Sequence, residues 1–310
     1  MRILVTGGAG YIGSVLVPLL LEEGHEVTVL DNLMYGQTPL LDCCLNPHFE
    51  FVSGDARDAA IVRPLVSKAD VVLPLACLTG APICNKDPWA ARGVLVDAVK
   101  VIVDHLSPSQ MLIFPSTNSG YGVGENDLHC DEDTPLRPVS LYGRLKVEIE
   151  SLLLDAGHSV TFRFATLFGM SPRPRLDLLV NDFTYRALKD RFVVLFEGHF
   201  KRNYLHVRDA AHAFSHTISN YESMKGRAFN IGLSDANLSK IELCERIKLQ
   251  VPDFVFVSAD VGKDPDQRNY IVSNARIEAT GFKPSVSLDE GIRELLTGYR
   301  ILRPVVFANA

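Results

Sequence analysis

The first thirteen residues constrain this chain more than any other stretch. Ile3-Leu4-Val5-Thr6 is a short apolar and β-branched run, and it passes directly into Gly7-Gly8-Ala9-Gly10-Tyr11-Ile12-Gly13, after which helical periodicity begins. A strand, a GxxGxxG turn and a helix, in that order, form the opening unit of a doubly wound dinucleotide-binding sheet. Gly7 permits the tight turn, Gly10 lets the backbone approach a pyrophosphate, and Gly13 lets the helix pack closely on the strand. The helix N-terminus then offers unpaired N–H groups and its positive dipole end to the phosphates.

The same rhythm continues downstream. Glu26–Leu30, Phe49–Val52, Val71–Leu75, Leu112–Pro115 and Ser159–Phe164 read as further strands, bounded by Gly, Asp or Pro. Helical stretches fall between them at about Gly13–Glu23, Ala59–Ser67, Pro88–His105 and Leu141–Asp155. Such alternation predicts an α/β fold, a doubly wound parallel Rossmann sheet with helices on both faces. After Ala165 the rhythm changes. A Pro-rich break, Ser171-Pro172-Arg173-Pro174-Arg175, precedes a helix near Leu176–Lys189 and several shorter elements. A smaller mixed α/β C-terminal lobe is expected there. The division expected is 1–165, with a return near 203–232, for the Rossmann domain, and 166–202 with 233–310 for the substrate domain.

Charge and cysteine content narrow the function classes. With 31 basic and 37 acidic residues the formal net charge is −6, so the chain lacks the electrostatic footprint for a nucleic-acid polymer or an anionic membrane. The uncharged, mainly apolar stretch Val71 to Cys84 is broken by Pro74, Gly80 and Pro82 and falls short of the ~20 residues that span a bilayer. The N-terminal apolar run is too short for a signal peptide, and a cytoplasmic location is expected. None of the six cysteines lies in a CxxC pair. They read as reduced, core-filling residues, and no metal site is expected.

Two acids specify the cofactor. Asp31, 18 residues beyond Gly13, closes the second strand, where its carboxylate can bind the adenosine ribose hydroxyls and would repel a 2′-phosphate. The residues that follow, Asn32-Leu33-Met34-Tyr35, supply no arginine for such a phosphate, so NAD is expected rather than NADP. Asp55, at the end of the third strand and followed by Ala56, is placed beside the adenine.

Tyr142-Gly143-Arg144-Leu145-Lys146 opens a helix behind Ser140, a capping residue. Tyrosine and lysine at i and i+4 share one helix face. A phenol near pKa 10 is a poor base at neutral pH, but an adjacent ammonium favours its phenolate. Such a pair arises often by chance; behind this glycine loop it points to proton transfer.

Taken in order, Gly7–Gly13, Asp31, Gly54-Asp55, Leu75-Ala76, Phe114-Pro115-Ser116-Thr117 and Tyr142-xxx-Lys146 resemble the extended short-chain dehydrogenases/reductases. More narrowly they resemble the NAD-dependent epimerase/dehydratase family that acts on nucleotide sugars. Arg202-Asn203-Tyr204-Leu205-His206-Val207-Arg208-Asp209, Phe229-Asn230-Ile231-Gly232 and Gly281-Phe282-Lys283-Pro284 resemble later landmarks of that family, so the likeness spans essentially the whole chain. The resemblance implies that Tyr142 takes a proton from a sugar hydroxyl, usually at C4, while hydride leaves that carbon for the nicotinamide. Lys146 would hold the nicotinamide ribose, and Thr117 would hydrogen-bond the same sugar oxygen. Tyr11, Ile12, Asn32, Ala56, Leu75 and Ala76 would join the cofactor set. Arg202 and Arg268 would clamp the substrate diphosphate, to which a planar guanidinium is suited. Asn118 and Asn181 would contact substrate. Homodimers joined by two helices per subunit, here Pro88–His105 and Leu141–Asp155, are also implied.

Departures from the family pattern narrow the reaction. Family 4,6-dehydratases carry an Asp-Glu pair after this threonine, and the decarboxylases usually carry Glu at the second position; here Asn118-Ser119 stands instead. Neither side chain serves as an acid or base near neutrality. Oxidation at C4 needs only Tyr, Lys, Thr and the cofactor, with or without re-reduction, which means a 4-epimerase or a 4-dehydrogenase/ketoreductase. Leu95 and Thr166 replace two family asparagines, against an ordinary UDP-galactose 4-epimerase. The run Arg173 to Phe183, with Asn118-Ser119-Gly120-Tyr121, resembles bacterial enzymes that oxidise GDP-linked heptoses at C4. Two alternatives stay open: a dehydratase using another base, for which Asp127 and His129 are nearby, and a non-catalytic NAD-sensing regulator.

Overall fold

Alternate residues of the first strand serve opposite faces, and this already dictates a buried sheet. In β1 (Arg2–Thr6), Ile3 and Val5 join one hydrophobic cluster while Leu4 joins another. The same split recurs in the strand Met111–Thr117, where Ile113 faces the first cluster and Leu112 and Phe114 the second. Strands apolar on both faces need helices on both faces. The computed structural model, which describes residues 1–122, 129–259 and 269–302, has them.

In chain order, α1 (Gly13–Glu22), β2 (Glu26–Asp31), β3 (Phe49–Ser53), α2 (Ala59–Lys68) and β4 (Val71–Pro74) follow β1. Next come α3 (Ala81–Lys86), α4 (Pro88–Arg92), α5 (Ala98–Val103), β5 (Met111–Thr117), the short β6 (His129–Cys130), α6 (Leu141–Asp155) and β7 (Ser159–Phe164). The later part contributes β8 (Thr166–Phe168), α7 (Leu179–Lys189), β9 (Phe192–Phe196), β10 (Lys201–His206), α8 (Val207–Met224) and β11 (Arg227–Ile231). It closes with β12 (Asn237–Ser239), α9 (Lys240–Gln250), β13 (Val255–Ala259), β14 (Ile271–Val272), α10 (Ala275–Glu278) and α11 (Leu288–Ile301).

Among the described residues the main sheet has seven strands in the order β11-β7-β5-β4-β1-β2-β3, all parallel. Chain order reverses between β1 and β4, so the crevice at the carboxyl ends of these two strands is the switch point where doubly wound sheets bind ligands. Register places Thr6 opposite both Leu30 and Pro74, which brings the glycine loop, Asp31 and Leu75 to one edge. Helices α1 and α8 cover one face through Leu16, Leu20, Phe214 and Ile218; α2, α5 and α6 cover the other. A third core, built on Phe168, Phe183, Tyr204, Phe254 and Tyr299, holds the smaller lobe. There β12, β10 and β8 form a three-stranded sheet, and β9 pairs with β13. Strand β10 belongs to this small sheet, whereas α8 packs on α1 and β11 joins the main sheet.

Two helices depart from expectation. The stretch expected as one helix over 88–105 is α4 and α5 joined by a π-turn at Gly93–Asp97. Asp87 starts it by accepting the Ala90 N–H at 2.9 Å, with Pro88 at the first helical position; Gly93, a weak helix former, sits where it loosens. The helix expected from Leu176 begins only at Leu179. The Asn181 amide nitrogen donates to the Arg175 carbonyl and Asp177 is paired with Arg175, which holds residues 176–178 in a turn ahead of the helix instead.

Candidate active site

The crevice above β1 and β4 is a cavity of about 460 Å3. The glycine loop forms its floor. Gly7 has φ +71°, and a Cβ there would lie 2.5 Å from the Ala76 nitrogen, so this position excludes side chains twice over. A Cβ on Gly13 would run into the Gly8 carbonyl, whereas one on Gly10 would meet only the Gly7 oxygen, at 3.1 Å. Gly7 and Gly13 are therefore fixed by the protein's own packing, while Gly10 faces the space a ligand would fill. Tyr11 and Ile12 complete the loop, and Ile12 caps α1 with no side-chain hydrogen bond.

Asp31 stands at the end of β2 with its carboxylate held in place. Oδ2 accepts from the Ala9 N–H at 3.0 Å and Oδ1 from the Leu33 N–H at 2.8 Å. Asp55 is gripped by Arg57, whose guanidinium and backbone N–H both donate to it and push its pKa down. Asn32, Ala56, Leu75 and Ala76 line the same cavity.

Ser140 accepts the Gly143 N–H at 3.1 Å and so starts α6, which carries Tyr142 and Lys146 to the cavity wall. Lys146 is buried; its Nζ donates to the Pro115 carbonyl at 2.7 Å and lies 4.5 Å from the Phe114 ring centroid. Burial pushes the ammonium pKa down, with the Cys77 and Cys84 sulfurs opposing the shift. Thr117 ends β5, its Oγ accepting the Ser119 N–H at 3.1 Å and sharing a hydrogen bond with the Ser119 hydroxyl at 2.9 Å. Thr117, Tyr142 and Lys146 therefore line one wall, from two adjoining elements.

Arg202, on β10, reaches the cavity from the smaller lobe and is buried. Asn118 is buried beside Thr117, and among the described residues neither atom of its amide finds a partner. Asn181 is placed differently from expectation. Its amide is committed to the chain itself, accepting from the Gly169 N–H at 3.0 Å and donating to the Arg175 carbonyl at 2.8 Å, and it does not line the cavity. The side chain anchors the strap over 169–175. Arg268 and Asp127 lie outside the described residues, and His129 is exposed on β6, away from the cavity lining.

Several lining residues were missed by motif reasoning. Arg173, Arg175, Tyr35, Gln37, Cys77 and Ser116 all face the cavity. Among the described residues Arg173 Nε and Nη2, Tyr35 Oη, Gln37 Oε1 and Ser116 Oγ are buried without hydrogen-bond partners. Burial, reinforced by Arg175, pushes the Arg173 pKa down. Such orphaned groups are costly unless a ligand answers them, and a polar, phosphate-bearing dinucleotide does. The one signal in the sequence was the Pro-bracketed Arg173 and Arg175, which a linear reading treats as a break. No group of three or more His, Cys, Asp or Glu suited to a metal occurs among the described residues.

Comparison with known proteins agrees with this geometry. The model of the NAD dependent epimerase/dehydratase family matches residues 3–232. The UDP-glucose 4-epimerase of Lactobacillus helveticus is 27% identical, covering 92% of both chains. The dTDP-D-glucose 4,6-dehydratase of Mus musculus is 26% identical over 96% of this chain and 88% of its own. The UDP-glucose 4-epimerase of Thermus thermophilus, solved in complex with NAD, superposes with a TM-score of 0.83 at 26% identity, over 97% of this chain and 99% of that one. A glycine loop, an aspartate closing β2 and a Tyr-Lys pair on one cavity, with a family match across most of the chain, lead to one conclusion: this NAD-dependent enzyme belongs to the NAD dependent epimerase/dehydratase family.

Proposed function

We propose that this enzyme oxidises a nucleoside-diphosphate sugar at C4 and that it either returns the hydride, as a 4-epimerase, or releases the 4-keto product. The observation that carries this reading is the pairing of Tyr142, Lys146 and Thr117 on one wall with Asn118-Ser119 where a second acid–base pair would be needed for dehydration. Tyr142, as phenolate, takes the proton of the C4 hydroxyl, and the Thr117 hydroxyl orients the same oxygen. Lys146 keeps its positive charge close to the phenolate, with Pro115 and Phe114 stabilising the ammonium against burial. NAD supplies the hydride acceptor when bound, held by the glycine loop, Asp31 and Lys146. Arg202 and Arg268 are assigned to the substrate diphosphate.

The carboxylates that line the cavity are otherwise occupied, which favours C4 chemistry over dehydration. Asp31 is held by two backbone N–H groups, Asp55 by Arg57, Asp177 by Arg175 and Asp182 by Arg186 at 2.8 Å. Within this reading the run from Arg173 to Phe183 favours a GDP-linked heptose or hexose. The proposed division gives NAD to residues 1–165 with a return near 203–232, and the sugar nucleotide to the remainder. We also assign a cytoplasmic, homodimeric enzyme. Trp89, 87% exposed on α4, supports pairing through the α4–α6 face.

Incubation with UDP-, GDP-, dTDP- and CDP-linked sugars, followed by product mass and nicotinamide absorbance, tests the function. A 4-keto or C4-inverted sugar is expected from at least one. A 4-keto-6-deoxy product establishes a dehydratase instead; no turnover with any sugar, with ligand binding unchanged in Tyr142→Phe, establishes a regulator.

A further inference from the structure

A strap from the smaller lobe is stitched onto the glycine loop. The Tyr11 hydroxyl donates to the Gly169 carbonyl at 2.8 Å, and the Ser171 hydroxyl donates to the Tyr11 carbonyl at 2.9 Å. Ser171 also shares a hydrogen bond of 2.7 Å with the Ser14 hydroxyl, in the first turn of α1. All of these contacts are buried. The strap is thus held against the loop and helix terminus that hold phosphate in this fold.

Two residues further on, Arg173 enters the cavity. It is 2% exposed, and its guanidinium lies 4.2 Å from the Tyr35 ring centroid. Tyr35 belongs to the loop that follows Asp31, on the dinucleotide side of the cleft. The neighbouring Arg175 is answered by Asp177. Arg173 keeps Nε and Nη2 buried without a hydrogen-bond partner among the described residues, and Tyr35 Oη beside it is equally unanswered. A buried guanidinium with open donors, stacked on an aromatic ring and lining a cavity, is built to receive an anion.

We propose that Arg173 is the far half of the cofactor's phosphate site: it donates to a pyrophosphate oxygen of NAD from across the cleft, on a Tyr35 platform, and so clamps the dinucleotide between the two lobes. The glycine loop addresses the pyrophosphate from below and Arg173 from above. Ser171 fixes the height of the strap, because it is bonded to the loop itself. The 2′-position is excluded as the target, since the Asp31 carboxylate stands at the ribose and would repel a phosphate there. Docking of the smaller lobe and binding of NAD become one event.

The test is ligand affinity of the full chain, freed of nucleotide, for NAD, ADP-ribose, adenosine and NADP, measured by calorimetry. In Arg173→Met, NAD and ADP-ribose are expected to weaken roughly ten- to a hundredfold, the worth of a charge-assisted hydrogen bond. Adenosine, which lacks the pyrophosphate, is expected to bind unchanged, and NAD is expected to leave faster during gel filtration. Arg173→Lys is expected to recover part of the affinity, since it returns the charge without the planar fork. Tyr35→Leu removes the platform and is expected to weaken NAD in the same sense, which keeps the test open should Arg173→Met fail to fold. Unchanged NAD and ADP-ribose affinity, an equal loss for adenosine, or an effect confined to NADP would overturn the proposal.

Discussion

Ser14 and Ser171, 157 positions apart, share a buried hydroxyl–hydroxyl hydrogen bond of 2.7 Å. The first residue lies in the opening turn of the cofactor helix and the second on the strap that leads into the smaller lobe. Ser171→Ala removes this bond, the one to the Tyr11 carbonyl and the acceptor of the Arg173 N–H, and leaves the Ser14 hydroxyl and the Tyr11 carbonyl only their own contact at 3.4 Å. A loss of about 1–3 kcal/mol in folding stability is expected, with weaker NAD binding at unchanged protein fold. Urea denaturation with and without NAD measures both: the stabilisation conferred by NAD should shrink in the variant.

Gly7→Ala strikes the loop directly. The added Cβ meets the Ala76 backbone while φ is +71°. Left-handed strain alone costs about 1–3 kcal/mol, and relief of the contact requires the Leu75-Ala76 turn to move. NAD affinity is expected to fall by more than tenfold. Gly10→Ala is expected to leave thermal stability near the wild-type value while weakening NAD, because only the Gly7 carbonyl is near. Melting temperature and calorimetry separate the two variants.

The buried pair Arg163–Glu150, 2.7 Å apart, underlies the turn that carries Asn118 and Ser119. Arg163 also donates to the Tyr121 hydroxyl and to the Glu132 carbonyl, each at 3.0 Å. Glu150→Gln leaves this guanidinium without its counter-charge, and a loss of about 3 kcal/mol is expected from chemical denaturation.

Proton transfer at C4 ties rate to two groups. Tyr142→Phe is expected to lower kcat by about 10²- to 10⁴-fold with little change in NAD affinity. The protonated form of Lys146 is the active one, because its charge favours the phenolate. Burial pushes its pKa down, so raising the pH removes that charge earlier than in a free lysine. The alkaline arm of the kcat profile should therefore fall below the ordinary lysine value of about 10.4, and Lys146→Met should abolish that arm together with most of the rate.

Much of this was legible from residue order because it rests on local rules. Helix α6 runs from Leu141 to Asp155 as its Ser140 cap and apolar spacing predict, and β7 matches residue for residue. The glycine loop and Asp31 are local to one βαβ unit. What escaped was long-range. Arg173 reaches Tyr35 only because the strap is stitched to Tyr11 and Ser14, and no short spacing encodes that. Asn181 carried the residue type of a ligand contact, yet its amide is saturated by the strap's own backbone. The π-turn at Gly93–Asp97 interrupts a stretch whose periodicity reads as continuous helix.

The proposed function requires hydride removal from C4 by a site that lacks the dehydratase acid–base pair. The most direct measurement is a single turnover of the NAD-loaded enzyme with a nucleoside-diphosphate sugar carrying deuterium at C4, read by nicotinamide absorbance and product mass. The expected result is deuterium on the reduced nicotinamide or, where the hydride is returned, at C4 of the inverted sugar, with a reduction step slower than for the undeuterated sugar, loss of the signal in Tyr142→Phe, and no loss of water from the sugar. Deuterium kept at C4 in the original configuration with no reduction of the nicotinamide, or a product lighter by one water, would contradict it.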